Sequence, residues 1–72
     1  MQLITSEADK LATFLVLEAE RRGLDLNLDD ADQIIEDEIR FVSDKIEEGD
    51  VSLKQIAVWL IDMSEDDLPE KG

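Results

Sequence analysis

Between Asp30 and Glu48, the apolar residues Ala31, Ile35, Ile39, Val42 and Ile46 recur at spacings of four, four, three and four. That rhythm places them on one face of a single long helix. Ile34 and Phe41 widen the face beyond a narrow seam. The opposite faces carry Asp32, Glu36, Asp37, Glu38, Asp44, Glu47 and Glu48 against only Arg40 and Lys45. An apolar stripe therefore backs onto a strongly anionic one, and the rest of the chain is organised around this contrast.

Two further helices flank this one. Ser6 followed by Asp9 is a capping-box pattern, so the first helix is expected over about residues 7–22. Ala8, Leu11, Leu15 and Ala19 form its stripe, with Ala12, Phe14 and Val16 or Leu17 beside it. Arg21 and Arg22 in the last turn oppose the helix dipole, Glu18 reaches Arg22 at four residues, and Gly23 offers a left-handed closing residue. Asp30 with Gln33, or Asp29 with Asp32, caps the second helix over about 30–48, which Gly49 ends. Ser52 with Gln55 opens a third helix over about 53–63, burying Leu53, Ile56, Ala57, Leu60 and Ile61 with Trp59 at its margin. Ser64 with Asp67 starts a short fourth turn that Pro69 stops.

The segments between helices read as loops. Leu24, Leu26 and Leu28 alternate with polar residues through a linker, a pattern that also fits a short strand; with no partner strand in the sequence, an ordered loop covering one end of the core is expected. Residues 1–5 form an apolar lead-in that could extend as a strand, and residues 70–72 are expected to fray. The fold class is all-α: one domain over residues 1–72, a compact bundle of three main helices with a short fourth turn.

Composition narrows the chemistry. The chain has 72 residues, no cysteine and no histidine, so disulfides and thiolate or imidazole metal sites are excluded, and oxygen ligands for a hard cation are what remain. Twenty acids oppose seven bases for a net charge of -13, while apolar residues still make up 43% in helix-period stripes, which argues against disorder. The acidity is uneven: residues 1–22 carry -1, residues 23–50 carry -9 and residues 51–72 carry -3. Such a field repels phosphate backbones and anionic membranes and favours a basic partner. No secretory leader is evident and no run approaches the ~18 apolar residues of a membrane span, so a cytoplasmic location is expected.

Three kinds of site merit comparison. Asp25, Asn27, Asp29 and Glu36 fall at the first, third, fifth and twelfth positions of an EF-hand-like calcium loop. Asp30 stands where that loop needs glycine, however, and Ile34 and Ile35 already belong to a helix. Paired carboxylates such as Asp37 with Asp44, or Glu36 with Glu47, lack the pocket and second actor that acid/base catalysis requires, so no enzyme and no cofactor is expected. Carboxylates stepped along a helix can also imitate a nucleic acid in a basic protein groove. Direct nucleic-acid binding is not expected, because the one basic cluster is Arg21 and Arg22. Trp59 either seals the core or anchors a partner.

The run of Ser6, Lys10-Leu11, Phe14, Glu18, Arg21-Arg22-Gly23-Leu24, Leu26-Asn27, Ala31, Ile34-Ile35 and Asp37-Glu38-Ile39 resembles the opening two helices of the urease gamma subunit. The likeness spans mainly residues 6–49. It implies an all-helical, structural subunit that does not itself hold the nickel site. The chain is shorter and more acidic than that pattern and lacks the extended terminal portion through which such subunits join their complex.

The functional expectation is a small acidic, non-catalytic protein-interaction or accessory subunit. Asp32, Glu36, Asp37, Asp44 and Glu47 would meet a basic protein partner, with Trp59 as apolar anchor. The alternative is a nucleic-acid mimic that inhibits a DNA- or RNA-binding protein. A homodimer is compatible with the width of the apolar faces.

Overall fold

A computed structural model describes residues 5–71, so the expected lead-in over 1–5 lies almost wholly outside the described residues, as does Gly72. Four helices follow in order: α1 (Thr5–Arg21), α2 (Leu28–Asp37), α3 (Ile39–Glu48) and α4 (Leu53–Ser64), then a 3-10 turn (Glu65–Asp67). The bundle is all-α and compact, with a radius of gyration of 11.4 Å.

Local signals position most of the ends. Gly23 at φ 74 and Gly49 at φ 75 take the left-handed conformation that closes α1 and α3. Behind Gly23, the Leu24 amide returns to the Ala19 carbonyl at 2.8 Å, which satisfies a carbonyl the helix end would otherwise leave free. Ser52 caps α4, its hydroxyl accepting from the Gln55 amide at 3.2 Å.

The core is an α1–α4 pair with the other helices laid on it. Leu11, Leu15 and Ala19 of α1 meet Ile56, Ala57, Leu60 and Ile61 of α4, and all seven are 0–1% exposed. Ala12 of α1, Ala31 and Ile35 of α2 and Val42 of α3 complete the buried set, with Leu24 and Leu26 covering one end. Burial of the leucine, isoleucine and valine side chains contributes roughly 1.5–3 kcal/mol each before the entropy of ordering is subtracted.

The expected single helix over 30–48 is two helices. Glu38 departs from helical geometry at φ -112, ψ 30, although its amide still reaches the Ile34 carbonyl and its carbonyl still accepts from the Val42 amide. No glycine or proline stands there to cause a kink. Tertiary packing accounts for it: α2 lies mainly against α1 and also meets α4, whereas α3 packs on α4 without a close backbone approach to α1. The three successive acids Glu36, Asp37 and Glu38 also oppose the dipole at the end of α2, which lowers the cost of breaking there. The bend leaves Ile39, expected in the buried stripe, 39% exposed.

Two other expectations are corrected. The second helix starts at Leu28 rather than Asp30, because the Asn27 side chain accepts from the Asp30 amide at 2.8 Å and caps it earlier than the aspartates would. Leu28 is thereby taken out of the alternating linker and stands 55% exposed. The tail, expected to fray from residue 70, is held by the linker as far as Lys71. Leu24 and Glu70 form an antiparallel bridge, the Asp25 amide donates to the Pro69 carbonyl at 2.8 Å, and the Lys71 amide donates to the Gly23 carbonyl at 2.8 Å. The linker found a backbone partner that no local pattern announces.

Candidate protein-interaction surface

The five expected contact acids all reach solvent, but on two helices. Asp32, Glu36 and Asp37 stand on α2, and Asp44 and Glu47 on α3, every one exposed. At about 100° per residue, Asp32 and Glu36 lie one turn apart on the outer side of α2, as do Asp44 and Glu47 on α3. The break at Glu38 divides what a straight helix would present as one row. Asp37 accepts a hydrogen bond from Gln33 Nε2 at 3.0 Å, the one side-chain bond recorded among these five.

Arg21 and Arg22, at the end of α1, do not neutralise this surface, because both are paired with acids elsewhere in the fold. Glu18, only 7% exposed, receives Arg21 Nε at 3.2 Å, Arg21 Nη2 at 2.6 Å and Arg22 Nε at 2.7 Å. Arg22 Nη1 continues to Asp62 Oδ1 at 2.6 Å and Glu65 Oε2 at 3.1 Å. The Arg21 hydrogen bond holds the Glu18 carboxyl below the usual carboxylate range. Burial pushes the other way, and the Arg22 hydrogen bond reinforces the lowering. For Arg22, burial pulls the guanidinium down, but hydrogen bonds to Asp62 and Glu18 outweigh it and leave it raised. The Glu18–Arg22 pair was legible from its four-residue spacing, whereas Asp62 and Glu65 are contributions of the fold. The one basic cluster of the sequence is thus a structural clamp.

Trp59 is half-buried and meets α3, not the α2 acids. Its ring stands edge-on to Phe41, centroids 6.0 Å apart at 72°, and Lys45 Nζ lies 5.4 Å from the Trp59 centroid and 5.7 Å from that of Phe41. With Asp62 and Met63 these residues line a concavity of about 330 Å³. Phe41, expected as core, packs half-buried against it and also forms a wall of this cleft. Same-face spacings carried the signal: Phe41 with Lys45 at four residues, and Trp59 with Asp62 and Met63 at three and four. A second concavity of about 300 Å³ lies between α1 and the start of α4, lined by Phe14, Leu17, Glu18, Arg21 and Lys54.

The candidate calcium cage is not assembled. Asn27 is occupied as a helix cap, Asp29 and Glu36 sit inside α2, and among the described residues no three carboxylates are placed to hold a metal ion. No described helix is long and apolar enough to cross a membrane. No family model, curated protein or solved structure matches the chain.

Proposed function

We propose that this protein is a small non-catalytic interaction module whose acidic α2–α3 surface engages a basic protein partner. The observation that carries the reading is the separation of charge. Asp32, Glu36, Asp37, Asp44 and Glu47 are exposed, while Arg21 and Arg22 are committed to Glu18, Asp62 and Glu65. An uncompensated field of this kind steers and orients a cationic partner, and lasting affinity then needs apolar burial as well.

The test is affinity purification from the native host at moderate salt, with the wild-type chain beside a variant carrying Asp32→Lys, Glu36→Lys, Asp37→Lys, Asp44→Lys and Glu47→Lys. A partner of constant stoichiometry, lost in the variant and retained in excess duplex DNA, is the expected result. An unchanged partner set in the variant would sink the proposal. Release of a nucleic-acid-binding protein by DNA would transfer it to mimicry.

A further inference from the structure

Lys45 occupies an unusual place for a lysine in so acidic a chain. Its ammonium could extend into solvent among many carboxylates, yet it sits in the corner of two nearly perpendicular rings, 5.4 Å from Trp59 and 5.7 Å from Phe41. One carboxylate, Glu48 Oε2, holds it at 3.3 Å from outside. The ring faces carry negative potential, and a cation near two of them is favoured over one beside a single ring. The cleft continues past the ammonium to Asp62 and to Met63, which is 50% exposed. Aromatic walls, a carboxylate at the rim and an exposed apolar flank form a receptor for a cation on an aliphatic stem.

We propose that the Phe41–Trp59 corner is a recognition pocket for one arginine side chain of a basic protein segment, and that Lys45 fills it in the free protein. The proposal rests on the basic partner argued above and names where its anchor enters. Charge complementarity selects the occupant, since the chain carries -13 overall and Asp62, which gives only Oδ1 to Arg22, lines the cleft itself. Arginine suits the corner better than lysine because a flat, weakly hydrated guanidinium stacks on an aromatic face while its edge donates to a carboxylate. On entry it displaces Lys45 from the rings, and the ammonium keeps Glu48, a partner it already has at 3.3 Å. The resident ammonium therefore acts as a competitive plug, keeping the aromatic corner covered until a better cation arrives.

Trp59 is the chain's one tryptophan, so its fluorescence reports this corner alone. The probe is an octapeptide of alternating arginine and glycine, with the citrulline-for-arginine peptide as its neutral control. The arginine peptide should change Trp59 emission saturably and the citrulline peptide should not. Lys45→Ala should tighten arginine-peptide binding roughly three- to tenfold, the size of one lost cation–aromatic competitor. Lys54→Ala removes the same charge from the start of α4, away from this cleft, and should tighten binding much less. Phe41→Leu, with helicity checked by circular dichroism, should weaken it by a similar factor. No Trp59 response, equal effects of Lys45→Ala and Lys54→Ala, or unchanged affinity in a folded Phe41→Leu variant would each overturn the pocket. If the pocket fails while the five-charge variant still loses its partner, the acidic-surface reading stands without it. A working pocket in a chain whose partner ignores those five charges would separate the two the other way.

Discussion

Arg22 and Asp62, forty positions apart, are joined at 2.6 Å between Nη1 and Oδ1, and this contact ties the end of α1 to the end of α4. The same guanidinium holds Glu18 through Nε and Glu65 through Nη1, so one side chain serves three carboxylates from three elements. The contacts are unequal. Asp62 and Glu65 are 53% and 51% exposed, where solvent screening leaves a pair worth roughly 0–1 kcal/mol, whereas Glu18 is buried. Arg22→Ala should therefore cost about 2–3 kcal/mol in urea denaturation, chiefly by leaving Glu18 short of a donor, and Asp62→Asn less than about 1 kcal/mol. Equal costs for the two would refute the ranking.

Glu18 also sets a pH dependence. Its folded-state pKa is lowered, first by the Arg21 hydrogen bond, so the unfolded chain binds its proton more readily than the folded one. The stabilisation is present above the unfolded value, about 4.3, and is lost as pH falls through the folded one. Glu18 contributes a loss of stability in this acid limb, and Glu18→Gln should remove that contribution while lowering stability by about 1–3 kcal/mol at neutral pH. Urea midpoints measured from pH 7 to pH 2.5 decide it: parallel curves for the two proteins would show that Glu18 contributes nothing to the limb.

Features with a local cause were legible in the sequence, and features that only the finished fold creates were not. Gly23, Gly49 and Ser52 act on amides and carbonyls within a few residues, so their roles follow from residue type and spacing. The α1 and α4 stripes were equally legible, because each helix buries one face against one neighbour. The bend at Glu38 was not, since no glycine or proline marks it and the break arises from α2 lying mainly on α1 while α3 lies on α4 alone of the two. The same holds for the Leu24–Glu70 bridge and for Arg22 with Asp62, whose partners are brought together only by the finished fold. In the candidate surface the acids were identifiable as solvent-facing by position on the wheel. The corner made by Phe41, Lys45 and Trp59 needed the packing of α3 on α4.

Gly49 offers a test of backbone conformation separate from packing. At φ 75 it closes α3, and a β-carbon built there would find no atom closer than the Glu47 carbonyl at 4.0 Å. Gly49→Ala should thus cost only left-handed strain, about 1–2 kcal/mol, and Gly49→Asn less, since asparagine tolerates this conformation. Thermal unfolding of the two variants checks the order; an alanine as stable as asparagine would show that the turn relaxes.

The net charge of -13 predicts how the folded state responds to salt. Self-repulsion among carboxylates on one small surface opposes the compact state, and raising ionic strength shortens its range from about 30 Å at 0.01 M to about 10 Å at 0.1 M. The melting temperature should therefore rise between 10 mM and 500 mM sodium chloride, even though the Glu18–Arg22 network is weakened by the same screening. The five-lysine variant, whose repulsion is largely removed, should show a smaller rise. A melting temperature that falls with salt would mean that the ion pairs outweigh the repulsion.

The bend at Glu38 can be tested with one substitution made twice. A straight helix over 30–48 places Ile35 and Ile39 in the same buried stripe, so that Ile35→Ala and Ile39→Ala would cost alike. In the bent chain Ile35 is 3% exposed and Ile39 is 39% exposed. Removing three carbons from Ile35 opens a cavity between α2 and the α1–α4 pair and should cost about 2–4 kcal/mol. The same removal at Ile39 takes away partly hydrated surface at the break, leaves no enclosed void, and should cost less than about 1 kcal/mol. Paired urea titrations read the difference directly. Similar midpoints would restore Ile39 to the core and with it the unbroken helix, whereas a gap of 1 kcal/mol or more supports the turn between α2 and α3 that sends their stripes to different neighbours.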